Sequence, residues 1–140
     1  MKKNRAQRKQ TVLIIEDEKE ILNIISRLLN SEGYNVLEAE NGTYAVHIAG
    51  RIKPDVVVLD LNLPDYNGIR LLGELKAMDK TLQVIILTAY GTQEAVRSAM
   101  ELGAYNFLTK PFEFHELCEA VREAFEFKNR PVNGGKSHVL

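Results

Sequence analysis

Four segments of the sequence carry reactive side chains directly behind short apolar runs. Glu16, Asp17 and Glu18 follow Val12–Ile15, Asp60 follows Val56–Leu59, Thr88 follows Val84–Leu87, and Lys110 and Pro111 follow Asn106–Thr109. If the two acidic ends lie side by side, three carboxylates share one shallow pocket. Their mutual repulsion then raises at least one pKa unless a cation intervenes. A hard divalent ion relieves that repulsion. Mg2+, or Mn2+ in its place, takes one or two carboxylates, keeps several waters and accepts phosphate oxygens. Asp17 and Asp60 are the candidate direct ligands, with the backbone carbonyl of Asn62 as a third. Glu16 would act mainly through a bound water.

An ionised aspartate is also a nucleophile toward phosphorus. Phosphoryl transfer asks mostly for positioning and for neutralisation of oxygen charge. Asp60 is the candidate nucleophile, and Lys110 offers a point cation for a carboxylate or phosphoryl oxygen. Thr88 offers a hydroxyl donor, and Ala89 beside it leaves room for a phosphoryl group. No histidine is needed as a base: His47 and His115 fall on helices and His138 near the end of the sequence. Taken singly, each residue has a plainer reading. An acid at a strand end usually caps a helix or faces water, a lone lysine is usually solvated, and a threonine usually packs. Those readings do not account for acids at two adjacent strand ends facing a lysine from a third.

The elements that must position these groups alternate in type. The runs Val12–Ile15, Val56–Leu59 and Val84–Leu87 are continuous and rich in β-branched residues, which suits strands covered on both faces. Tyr34–Ala39 and Asn106–Thr109 are weaker strand candidates. Between them lie apolar stripes of helical period. They are Ile21, Leu22, Ile25, Leu28 and Leu29; Ala45, Ile48, Ala49 and Ile52; Ile69, Leu72 and Leu75; Ala95, Val96, Ala99 and Leu102; and Phe114, Leu117, Cys118, Val121 and Phe125. Gly33 and Gly103 stand where a left-handed cap is wanted. Pro54 favours extended chain before it. The alternation predicts an α/β fold, a flavodoxin-like (βα)5 doubly wound sandwich with a five-stranded parallel sheet in the order 2-1-3-4-5. Ligands in such sheets bind at the carboxyl ends of the strands, where the reactive residues stand.

Bulk properties agree with one domain. The chain has 140 residues, 45% hydrophobic and 26% charged, and a formal net charge of −1. That balance supplies no whole-molecule field for nucleic acid or membrane. Cys118 is the single cysteine, so an intramolecular disulfide is excluded and a reducing cytoplasm is the simplest setting. No apolar run approaches the roughly 20 residues of a spanning helix, and no secretory h-region follows the charged N-terminus. Residues 1–10 read as a disordered basic arm, residues 11–127 as the domain, and residues 128–140 as a tail or the start of a linker. A nucleic-acid-binding arm is disfavoured, because no aromatic residues interleave its lysines and arginines.

Four motifs carry a resemblance to the receiver domains of two-component response regulators. They are VLIIEDE (Val12–Glu18), PDVVVLDLNLPDYNG (Pro54–Gly68), VIILTAYG (Val84–Gly91) and GAYNFLTKPF (Gly103–Phe112), in order within a stretch covering about residues 11–127. The resemblance implies that Asp60 is the phosphoacceptor, that Glu16 and Asp17 form the acidic pair, and that Lys110 is the site lysine. It makes Thr88 the switch hydroxyl and Phe107 the switch aromatic, and Asn62, Ala89 and Tyr90 the neighbours that tune loss of the phosphoryl group. It implies a cis Lys110–Pro111 peptide, Mg2+ as cofactor, and a sensor histidine kinase or histidine phosphotransfer protein as phosphoryl donor. It makes the chain a signalling switch rather than a turnover enzyme, with a partner surface on helix 4, strand 5 and helix 5 that also allows a homodimer. Nucleic acid would be met only through an effector domain beyond this chain. Two departures stand out: the switch aromatic is Phe rather than Tyr, and Tyr105 occupies a place where the family often has an acid.

Three other readings compete with this one. A phosphohydrolase of the haloacid-dehalogenase type wants a second carboxylate two residues after its nucleophile, and position 62 is Asn. A flavodoxin-like cofactor carrier wants a Ser/Thr/Gly-rich phosphate loop after strand 1, where this chain has Glu16-Asp17-Glu18-Lys19-Glu20. A receiver-like module that is never phosphorylated would have no use for the complete set of site residues.

Overall fold

The computed structural model describes residues 10–89 and 93–130, so Tyr90, the segment 1–9 and the segment 131–140 lie outside the described residues. The strands are β1 (Thr11–Ile15), β2 (Asn35–Ala39), β3 (Val56–Asp60), β4 (Gln83–Thr88) and β5 (Asn106–Thr109). They alternate with α1 (Lys19–Ser31), α2 (Gly42–Ile52), α3 (Gly68–Met78), α4 (Gln93–Glu101) and α5 (Phe114–Lys128). All pairings are parallel and the sheet order is β2-β1-β3-β4-β5. This is the expected doubly wound α/β sandwich.

Alternate residues of the central strands feed two apolar layers, because successive side chains point to opposite faces. Leu13, Ile15, Val57, Leu59, Val84 and Ile86 pack with Ala45 and Ala49 of α2, Leu71, Leu72 and Leu75 of α3, and Ala99 of α4. Val12, Ile14, Val56, Val58, Ile85 and Leu87 pack with Leu22, Ile25 and Leu29 of α1 and Leu117, Val121 and Phe125 of α5. The strands are therefore apolar throughout because both faces are covered. Full burial of each such side chain is worth about 1.5–3 kcal/mol. The Tyr34 and Phe125 rings stack at 5.0 Å and tie the approach to β2 to α5.

Gly33 and Gly103 adopt φ of +98° and +101° just past α1 and α4, as the sequence predicts. Pro54 does not impose an extended residue before it. Lys53 is left-handed, with φ 60° and ψ 72°, and its N–H donates to the carbonyl of Ala49 at 3.1 Å. The chain must leave α2 and enter β3 within three residues, and a left-handed cap is the short way to turn. The apolar stripes also overshoot the core. Ile52, Leu102 and Phe114 are exposed, because they stand at or just past helix ends, beyond the sheet they would otherwise cover.

Candidate functional site

The register alone delivers the acids to one place. Ile15 is paired with Leu59, so Glu16 and Asp60 are the next residues along neighbouring strands. Asp60 is paired with Leu87, and Thr88 with Thr109, so Thr88 and Lys110 end on the same edge. Backbone bonds continue past the strands: Glu16 N–H donates to the carbonyl of Ala39 at 3.1 Å, Leu61 N–H to Leu87 at 3.1 Å, and Lys110 N–H to Thr88 at 2.7 Å. The Lys110–Pro111 peptide is cis, as expected.

Lys110 Nζ donates to Glu16 Oε1 at 3.0 Å and to Asp60 Oδ2 at 3.1 Å. Glu16 and Asp60 are both buried, while the lysine side chain keeps partial access to solvent. The other carboxylate oxygens are held by the backbone: Asn62 N–H donates to Asp60 Oδ1 at 2.9 Å, and Glu18 N–H to Glu16 Oε2 at 3.2 Å. Carboxylate oxygens of Glu16, Asp17 and Asp60 lie within 4.8 Å of one another, a group able to hold a metal ion.

Charge crowding has the expected consequence. Burial, and next the negative charge of Asp60, push the Glu16 carboxyl from 4.5 up to about 7, against the lowering effect of its Lys110 hydrogen bond. Burial acts to lower the Lys110 pKa, but hydrogen bonds to Glu16 and Asp60 and their charges outweigh it, so the ammonium is held above its ordinary value. One cation faces two buried carboxylates, and the balance at this edge is negative.

The remaining candidates fall around this centre. Thr88 is buried at the end of β4. Ala89 lines, with Lys110, Pro111, Phe112, Phe114 and residues of α1, a cavity of about 410 Å³. Phe107 lies on the edge strand β5 with its side chain exposed. The Glu18 amide, Asp65 and Gly68 shape the same edge and were not singled out from the sequence. No pattern marks a backbone donor such as Glu18. Gly68 carried a usable signal, because it opens α3 directly behind the loop that follows Asp60.

Residues 12–122 match the family model described as the response regulator receiver domain. Among similar proteins is Sporulation initiation phosphotransferase F of Bacillus subtilis, 35% identical over 86% of this chain and 97% of that protein. Another is Regulatory protein AtoC of Escherichia coli, 32% identical over 84% of this chain but only 26% of that much longer protein. The CheY-like receiver domain protein of Methanospirillum hungatei superposes with a TM-score of 0.84 over 86% of this chain and 97% of its own, at 24% identity, and bears on the fold. With the acid–lysine edge carried on this sheet order, the chain belongs to the receiver domains of two-component response regulators, the signalling-switch modules of those systems.

Proposed function

We propose that Asp60 accepts a phosphoryl group from the phosphohistidine of a sensor histidine kinase or histidine phosphotransfer protein in a Mg2+-dependent reaction, in the cytoplasm. The observation that carries this reading is the Lys110 ammonium bridging the buried carboxylates of Glu16 and Asp60 at 3.0 and 3.1 Å. The donor set suits Mg2+, or Mn2+: hard carboxylate oxygens from Glu16, Asp17 and Asp60 stand close together on an edge negative enough to raise Glu16 to about 7. Asp17, Asp60 and the Asn62 carbonyl would hold the ion, with Glu16 acting through water, and when bound it would neutralise charge on the phosphoryl oxygens.

In the transfer, an oxygen of Asp60 forms the new bond to phosphorus as the P–N bond of phosphohistidine breaks and its electron pair leaves with the imidazole. Lys110 stabilises the oxygen charge, and Thr88 donates a hydrogen bond to the phosphoryl group. Thr88 moves toward that group and Phe107 turns into the space it leaves, which re-shapes the surface of α4, β5 and α5. The phosphoryl contacts must favour one of two packings for this population shift to occur. Exposed aromatic side chains on β5 and α5 support a partner or homodimer contact there: Phe107 and Phe127. Water slowly hydrolyses the aspartyl phosphate, its oxygen bonding to phosphorus as the bond to the Asp60 oxygen breaks, which releases inorganic phosphate and the free carboxylate at a rate tuned by Asn62, Ala89 and Tyr90. Close end-to-end likeness to a protein named a phosphotransferase supports a relay role. Acetyl phosphate with Mg2+ should add one phosphoryl group, read by intact mass, and the addition should vanish in Asp60→Asn. Stoichiometric labelling retained in Asp60→Asn, or none in the unaltered protein, overturns the proposal.

A further inference from the structure

We propose that Asp65 is a positioning residue that clamps the β3–α3 loop to the start of α2 and so pre-forms the metal-binding edge at Asn62. The inference rests on the Mg2+ reading above. The loop runs from Leu61 to Asn67, and its base carries both Asp60 and the Asn62 carbonyl. Asp65 Oδ1 accepts the N–H of Gly42 at 2.8 Å, while Oδ2 accepts the N–H of Thr43 at 3.1 Å and its hydroxyl at 2.8 Å. Helix N-termini leave their first amides unpaired, and a carboxylate there gains both hydrogen bonds and a favourable dipole. The α2 terminus already has its own cap, since Asn41 accepts the N–H of Tyr44 at 2.8 Å. Asp65 therefore satisfies the two amides that Asn41 does not reach, and it does so from another segment 22 and 23 residues away.

Three further contacts make the loop stiff between that clamp and the acids. Asn62 and Asn67 form an antiparallel bridge that closes it. The Tyr66 ring lies directly over Gly42, where any side chain would collide with it. Tyr66 also donates its hydroxyl to Glu74, which is paired with Arg70 at 3.0 Å. The Asn62 carbonyl belongs to this closed segment, whose N–H at the same residue already holds Asp60 Oδ1. Releasing the clamp lets the loop sample other conformations, and metal binding must then order it again.

Mn2+ alone, followed by loss of the free-ion electron paramagnetic resonance signal, tests the inference. Asp65→Ala should bind Mn2+ about tenfold more weakly than the unaltered protein, in the range for outer partners of metal ligands. Asp65→Asn, with one acceptor oxygen in place of two, should fall between them. Asn41→Ala removes a cap from the same helix without touching the loop, so it should lower the melting temperature but leave Mn2+ affinity unchanged. Equal Mn2+ affinity in Asp65→Ala and the unaltered protein, or equal weakening in Asp65→Ala and Asn41→Ala, overturns the positioning role while leaving the Mg2+ reading intact. Absence of Mn2+ binding in the unaltered protein overturns both.

Discussion

Glu16→Gln turns the charge balance of the site into a stability measurement. The carboxyl is buried and its pKa rises from 4.5 to about 7, chiefly through burial and the charge of Asp60. At about 1.4 kcal/mol per pH unit, ionising Glu16 in the folded protein costs roughly 3 kcal/mol. Below about pH 4.5 the group is protonated both folded and unfolded, and nothing is lost. Between 4.5 and 7 the folded state keeps a proton that the unfolded state releases, so stability falls as pH rises, and above 7 the loss is complete. Glutamine escapes this cost. Its single carbonyl oxygen, however, accepts from either Lys110 Nζ or the Glu18 N–H, both of which Glu16 now satisfies. One forgone hydrogen bond costs about 1 kcal/mol. In chelator, Glu16→Gln should thus be about 2 kcal/mol more stable than the unaltered protein at pH 8 and slightly less stable at pH 5. Urea unfolding followed by circular dichroism reads this as a midpoint about 1 M higher at pH 8. Millimolar Mg2+ should stabilise both proteins, and more so the one that retains Glu16, whose charge the ion also offsets. A difference between the two proteins that stays constant from pH 5 to pH 8 refutes the reasoning.

Lys110→Gln should act in the opposite sense, because it strands the carboxylates of Glu16 and Asp60 without their cation. The loss should be about 3 kcal/mol at pH 8 in chelator and smaller at pH 5, where Glu16 can take up a proton, again by urea unfolding. Gly68→Ala would set a methyl group 2.5 Å from the carbonyl oxygen of Leu61 and 2.7 Å from its Cα, backbone atoms that cannot swing aside. Its melting temperature should drop by several degrees, for a cost of about 2 kcal/mol.

Much of this arrangement can be read from the chain. Continuous β-branched runs mean strands with two covered faces, and the stripes between them mean helices on both sides. The acids, the threonine and the lysine each end a strand or follow directly behind one, so their gathering at one edge follows once the strands are parallel. Local pattern misleads where an element ends. Ile52 and Phe114 have the right spacing for the core and stand outside it, because period says which side of a helix faces inward but not how far the sheet beneath extends. Lys53 takes a left-handed cap that the proline rule does not foresee, since the demand comes from the next strand's position.

The sequence by itself determined the alternation of elements, the strand-end placement of Glu16, Asp17, Asp60, Thr88 and Lys110, and the family. Only tertiary structure decided which groups touch. Lys110 meets Glu16, 94 positions away in the chain, and Asp60, 50 positions away, and the resulting charge and burial, not residue type, carry Glu16 to about 7. The Asp65 clamp on α2 and the tight fit at Gly68 likewise arise between segments. Spacing along a chain records local geometry, whereas electrostatics and steric fit act through space and depend on what the fold brings near.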